Sequence, residues 1–170
     1  MSNYDVIIAG AGVTGLAAAY HLRKRGYKNV AIASGPDRST AQAAGLVFGG
    51  QNDNWSRVSH AHGSNFAKEL WTFGDLAFDS LMDFCKDHGV PSARGARTRL
   101  IVSSGEHDEA KIACAGLQEA GFSSHLQPPA TDHGPAVLDI QSDGSRAAVI
   151  DVAELLKSLR DQGQSFDQIE

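Results

Sequence analysis

Along the first third of the chain the apolar positions change period twice. Tyr4-Asp5-Val6-Ile7-Ile8-Ala9 is a short, β-branched run that enters Gly10 directly, the pattern of a buried parallel strand. From Val13 to Arg25 the spacing turns helical, with Val13, Leu16, Ala17, Ala19, Tyr20 and Leu22 recurring at helical intervals. Arg23, Lys24 and Arg25 occupy the last turn and Gly26 stops it. Asn29-Val30-Ala31-Ile32-Ala33 then returns to a strand pattern. Strand, helix and strand in so short a span predict a βαβ unit with a right-handed crossover and a parallel sheet.

Between Ser34 and Asn65 the chain is rich in Gly, Ser, Ala and Asn and has no sustained period, although Ala41–Gly45 can hold a short helical turn. A loop of that length inside a domain is usually functional. Phe66 to His88 is helical, with Leu70, Phe73, Ala77, Leu81 and Phe84 as its apolar stripe and Gly89 and Pro91 as its end. Thr98–Ser103 reads as a strand, Asp108–Ala120 as a helix closed by Gly121, and Phe122–Leu126 as a further strand. Gln127–Ser145 is rich in Pro, Gly and Asp. Asp151–Arg160 carries Val152, Leu155, Leu156 and Leu159 at helical spacing, capped by Asp151. The tail from Gln162 to Glu170 breaks off where a turn and a new strand are expected, and Leu155, Leu156 and Leu159 have no evident partner in the remaining sequence. Further polypeptide is therefore expected to complete the domain.

Composition narrows the choice of chemistry. The 170 residues fit one domain-sized core, and 42% apolar against 21% charged is an ordinary globular balance. Fifteen basic against twenty acidic residues give a net charge of -5, so nucleic acid is not an expected partner. No apolar run reaches a membrane-spanning length and Met1–Asp5 lacks a basic leader, which makes the cytoplasm the default location. Cys85 and Cys114 lack metal-ligand spacing; they read as reduced structural thiols, and no metal is expected.

One motif carries chemistry. Gly10-Ala11-Gly12-Val13-Thr14-Gly15 is GxGxxG, weak alone but here set between a strand and a helix. Gly10 permits the tight turn, Gly12 lets a pyrophosphate approach the backbone, and Gly15 lets the helix lie close to the strand. The first-turn amides and the helix dipole then face negative charge. The acidic residue expected at the end of the second strand, to bond the ribose hydroxyls, is replaced by Ser34. Asp37 lies nearby. Ser34 with Arg38 also reads as a pair for the 2′-phosphate of NADP.

Four segments together resemble the start of the FAD-dependent amine and amino-acid oxidoreductases of the D-amino-acid oxidase superfamily, with sarcosine and glycine oxidase as relatives. They are YDVIIAGAGVTGLAAAYHLRKRGYKNVAI, the loop STAQAAGLVFGG, NDNWSRVSHAHGSNFAKELW and VIDVAELLKSLRDQG. The resemblance implies an α/β fold: a Rossmann-like FAD-binding domain with part of a second, substrate-domain sheet. It divides the chain into a βαβ and flavin loop over 1–60, a helical segment over 61–96, partial substrate-domain strands and a helix over 97–145, and a return helix over 146–170.

The same resemblance implies that Gly10, Gly12, Val13, Thr14, Gly15, Ser34, Arg38, Ser39, Thr40, Ala44, Gly45 and Leu46 bind FAD. It places Arg57 and His60, with His62 nearby, in a segment that passes close to the flavin, where a cation stabilises the negative charge of the reduced ring. Trp55 and Trp71 read as packing residues. Relatives are roughly twice as long, so the substrate-gripping groups, and any cysteine attaching flavin covalently, belong to a second polypeptide or C-terminal fragment. Neither Cys85 nor Cys114 takes that role. The activity so implied is oxidation of a small amine or amino acid to an imine. An NADP-binding domain and a non-catalytic subunit of a flavoprotein complex are the alternatives.

Overall fold

The computed structural model describes residues 3–35, 40, 43–127, 136–140, 146–162 and 167–169. In chain order the elements are β1 (Val6–Ala9), α1 (Val13–Lys24), β2 (Val30–Ala33), β3 (Leu46–Phe48), α2 (Trp55–His62), α3 (Ser64–Asp87), β4 (Ser92–Gly95), β5 (Arg97–Ile101), α4 (Ser104–Glu119), β6 (Ser124–Gln127), β7 (Ala136–Ile140), β8 (Ala147–Ile150), α5 (Val152–Gln162) and β9 (Asp167–Ile169). The chain divides into two compact units, one of residues 1–45, 85–91 and 150–170 and the other of residues 46–84 and 92–149. Among the described residues no helix is long and apolar enough to cross a membrane.

The first unit is built on a parallel sheet. β1 pairs with β2 in parallel from Val6↔Val30 to Ala9↔Ala33, and α1 is the crossover between them. Both strands and the helix fall where the change of period puts them. The tail departs from expectation. It does not break off before a new strand: β9 pairs in parallel with β2 from Ala31↔Asp167 to Ala33↔Ile169, giving the order β1-β2-β9. Asp-Gln-Ile has neither the length nor the apolar character of a buried strand, so only the backbone ladder identifies it. Leu155, Leu156 and Leu159 are likewise not partnerless. All three are buried where α5 packs against α1. Asp151 caps that helix, its carboxylate accepting from the Glu154 amide at 3.0 Å.

The strand order also decides which of the two apolar runs is buried. Central β2 has Val30, Ala31 and Ile32 all buried. β1 is not the fully buried strand that its sequence predicts: it alternates, with Ile8 on the face beneath α1 and Ile7, on the opposite face, 61% exposed.

The second unit has two antiparallel arrangements. β5, β7 and β6 form a sheet in the order β5-β7-β6, with α4 packed on all three strands. β3 pairs antiparallel with β8, Leu46 opposite Val149 and Phe48 opposite Ala147, in a sheet ordered β3-β8-β4. The span from Ser34 to Asn65 is therefore not one loop, and the Gln127–Ser145 stretch contains β7. Three-residue β3 is too short to show a period. In α2 only Trp55 and Val58 are buried, which leaves no stripe to read. Of the turn expected over Ala41–Gly45, residues 41 and 42 lie outside the described residues, and the Ala43 amide donates to Thr40 O at 3.0 Å.

α3 is a helix as expected, but its buried face is rotated. Ala67, Trp71, Phe78, Met82 and Cys85 face inward together with Phe84, while Phe73 is 67% exposed. The expected stripe omitted Trp71, whose ring meets Trp55 edge-on at 5.2 Å between centroids inside a core shared with Val58, Ala67, Ala113 and Leu117. Burying the larger indole sets the rotation. α4 begins four residues before the expected start because Ser103 caps it, accepting from the Glu106 amide at 3.2 Å. The Glu106 carboxylate reaches back to the Val102 amide at 3.1 Å, a variant of the capping box. A smaller cluster of Ile101, Ala110 and Cys114 lies beneath α4, and both cysteines are free and buried.

Candidate functional site

The turn from β1 into α1 is held at both ends. Gly10 has φ +103°, and its N–H donates to Ala33 O at 2.7 Å, tying the ends of the two parallel strands together. A left-handed backbone at that point excludes most side chains. At Gly15 an added Cβ would run into the Gly10 carbonyl oxygen, so the helix can only lie this close to the strand without one. These contacts bring the amide-bearing end of α1 to the C-terminal edge of the sheet, where open α/β sheets bind their ligands.

That helix end lacks the groups that usually satisfy it. Gly12 is the N-cap, with an extended backbone and no side-chain cap, and the first turn has no acidic residue. The first helical amides therefore keep unneutralised positive character. The group nearest them is the Thr40 hydroxyl, which accepts from the Val13 amide at 3.4 Å. A Cβ on Gly12 would lie 2.9 Å from the same oxygen, so glycine is what keeps the space between helix end and Thr40 open. A helix end with no acidic residue in its first turn and a gap that a side chain would fill are what a pyrophosphate requires. The residues present fit a dinucleotide cofactor.

The other residues singled out in the sequence are distributed as follows. Ser34 follows β2 directly and is half-buried; Thr14 and Ala44 are exposed. Gly45 has φ +73°, its carbonyl accepts from the Ile150 amide at 2.9 Å, and a Cβ there would meet the Ile150 carbonyl. Leu46, the first residue of β3, is exposed, as is Val149 opposite it. Arg38 and Ser39 lie outside the described residues. On α2, Arg57 is an ion-pairing residue, its Nε 3.0 Å from Glu109 and its Nη1 3.9 Å from Asp53. His60 and His62 are exposed, His62 with its ring 5.0 Å from that of Phe66.

Arg97 is a polar feature that the sequence reading passed over. Its guanidinium sits 3.9 Å above the Phe48 ring and Nη1 donates to Gln51 O at 2.8 Å. Burial, aided by the neighbouring Arg99 charge, moves it below the ordinary arginine value. The signal was present: in a strand, Arg97 and Arg99 are two apart and share a face. Beside them the wall of the second unit encloses a cavity of about 360 Å³.

Comparison with known proteins places this geometry. A family model described as DAO, FAD dependent oxidoreductase, matches residues 5–165. No curated protein matches the chain. Among solved structures, glycine oxidase from Bacillus cereus ATCC 14579 is 21% identical with a TM-score of 0.64, covering 99% of this chain and 46% of its own. Glycine oxidase from Geobacillus kaustophilus is 17% identical with a TM-score of 0.68, over 99% and 46%. L-proline dehydrogenase from P.horikoshii is 16% identical with a TM-score of 0.67, over 99% and 44%. At these identities the likeness shows the fold, an α/β arrangement shared along nearly the whole chain. The chain spans under half the length of each of these structures.

Proposed function

Because the chain belongs to the DAO family of FAD-dependent oxidoreductases, we propose that it is the FAD-binding half of a flavoenzyme that oxidises a small amine or amino acid to an imine. The observation that carries this is the uncapped N-terminus of α1, whose amides face Thr40 across Gly12. When bound, FAD supplies a ring that accepts a hydride from the carbon next to an amine.

The chain's own residues do the binding. Amides from Gly12 to Gly15 hold the pyrophosphate, the Thr40 hydroxyl adds one polar contact beside it, and the Ser34 hydroxyl offers the adenosine ribose a single neutral hydrogen bond where a carboxylate usually stands. Ser39 belongs to the same loop as Thr40. Ala44, Gly45 and Leu46 follow as the segment beneath the ring. Arg57 already pairs with Glu109, so no catalytic step is assigned to it.

Polypeptide beyond these 170 residues supplies the groups that grip the amine. The extent of the match, 46% of the glycine oxidase chains and 44% of the proline dehydrogenase chain, supports that reading. With the matched family FAD dependent, the NADP-binding and non-catalytic alternatives are not favoured. The test is the flavin retained by Gly12→Val on purification, read from the visible flavin band. Loss of the band from a folded variant is expected; a fully yellow Gly12→Val protein overturns the site.

A further inference from the structure

The cavity of about 360 Å³ lies wholly within the second unit and is lined by Asn54 and Trp55 at the start of α2, Trp71 of α3, Arg97 and Arg99 of β5, and Leu117 of α4, among others. Small-ligand sites run from about 300 to 1,000 Å³, so the volume suits a compact molecule. Indole and aliphatic surface make one part of the wall and guanidinium groups another.

The charges of this wall do not cancel. Asp53 and Arg57, both in the lining, lie 3.9 Å apart, and Glu109 takes a further bond from Arg57. Arg97 and Arg99 are left. Among the described residues no carboxylate pairs with Arg97, whose contacts are the Gln51 carbonyl and the Phe48 ring. Arg99 forms no ion pair among the described residues either; the half-buried Glu106 acts on it only through the field. A guanidinium withdrawn from water without a counter-anion is unfavourable, and it is stabilised by any anion that reaches it.

We propose that this cavity is an anion subsite that takes a small organic carboxylate, with the Arg97 fork on the carboxylate and the carbon body against Trp55 and Trp71. A carboxylate suits it better than phosphate. Two oxygens match a planar guanidinium fork, and the apolar wall has a carbon skeleton to receive, whereas a phosphate would bring further oxygens to a wall that is half hydrocarbon. The subsite is separate from the helix end that binds the pyrophosphate and does not depend on flavin.

Trp55 and Trp71 are the two tryptophans of the chain, so ligand entry is read directly from intrinsic fluorescence. The wild-type chain is titrated with acetate, succinate and inorganic phosphate at constant ionic strength. A saturable change with the carboxylates is expected, weakened about tenfold or more in Arg97→Gln and unchanged in Lys111→Gln. Arg99→Gln, also weakened, gives the reading if Arg97→Gln does not fold. Absence of a saturable change in the wild type, or equal affinity in a folded Arg97→Gln chain, overturns the proposal. Tighter binding of phosphate than of either carboxylate overturns the choice of ligand.

Discussion

The hydroxyl of Thr40 lies 3.4 Å from the backbone nitrogen of Val13, across a chain separation that spans all of α1 and β2. It is the one side chain bonded to the first turn of that helix among the described residues. Thr40→Val keeps the shape and removes the oxygen. FAD affinity is expected to fall by about tenfold, the value of one hydrogen bond of roughly 1.4 kcal/mol. Titration of FAD into the flavin-free chain checks this, and an undiminished affinity would show that the hydroxyl makes no contact with the cofactor.

Ser34 sits where a carboxylate usually meets the ribose hydroxyls. Ser34→Glu is therefore expected to leave FAD affinity unchanged or to raise it, since an ionised acceptor bonds more strongly than a hydroxyl. The same titration measures it. Marked weakening would mean that a negative group lies against this position.

Glu106 gives α4 a pH-dependent start. The Val102 N–H bonded to its carboxylate, with Ser103 and Arg99 adding, holds its pKa below the usual glutamate range. Because the folded value is depressed, the contribution is present above the ordinary glutamate value of about 4.3 and is lost as pH falls through the folded value. Melting temperatures of wild type and Glu106→Gln, measured from neutral to acid pH, are expected to differ at neutrality and converge in acid. Parallel curves would contradict the assignment. Ser103→Ala, which removes the cap itself, is expected to lower stability by about 1 kcal/mol at neutral pH.

Leu155 joins α5 to α1. It is fully enclosed in the first unit, so Leu155→Ala should destabilise that unit by about 2–5 kcal/mol, according to how far the site collapses. Denaturant unfolding followed by circular dichroism gives the value. A change below 1 kcal/mol, on the scale of roughly ±0.5 typical of surface substitutions, would contradict the packing of α5 on α1.

What could be read from the sequence was whatever repeats locally. The strand–helix–strand start and its glycine turn are consecutive in the chain and carry their own period and stop signals, so their bounds were legible to within a residue or two. β3, β7 and β9 were not, because each is short and exists through pairing with a distant partner: Leu46 with Val149, Leu138 with Arg99 and Leu126, Ile169 with Ala33. Local composition holds no record of those partners. α3 shows an intermediate case. Its helical period was plain, but several faces were apolar enough to serve, and the choice fell to the largest side chain, Trp71. The glycine turn between β1 and α1 was legible because backbone geometry alone demands its glycines. Arg97 was missed because basic residues in a strand look solvated until their burial is known.

The pairing of β9 with β2 has a consequence for the order in which the molecule can be made. The sheet that carries the glycine turn draws its strands from residues 6–33 and 167–169, while residues 46–84 and 92–149 form the other unit in between. On the ribosome, β1, α1 and β2 emerge well before α5 and β9, and the residues between must be made before those two elements can seal them. The intervening unit draws on nothing so distant and is free to fold while they wait. Native contacts that span so much sequence are slow to form. The nascent glycine turn therefore passes through a long interval with β2 unpaired on one side, an open strand edge vulnerable to aggregation until β9 arrives.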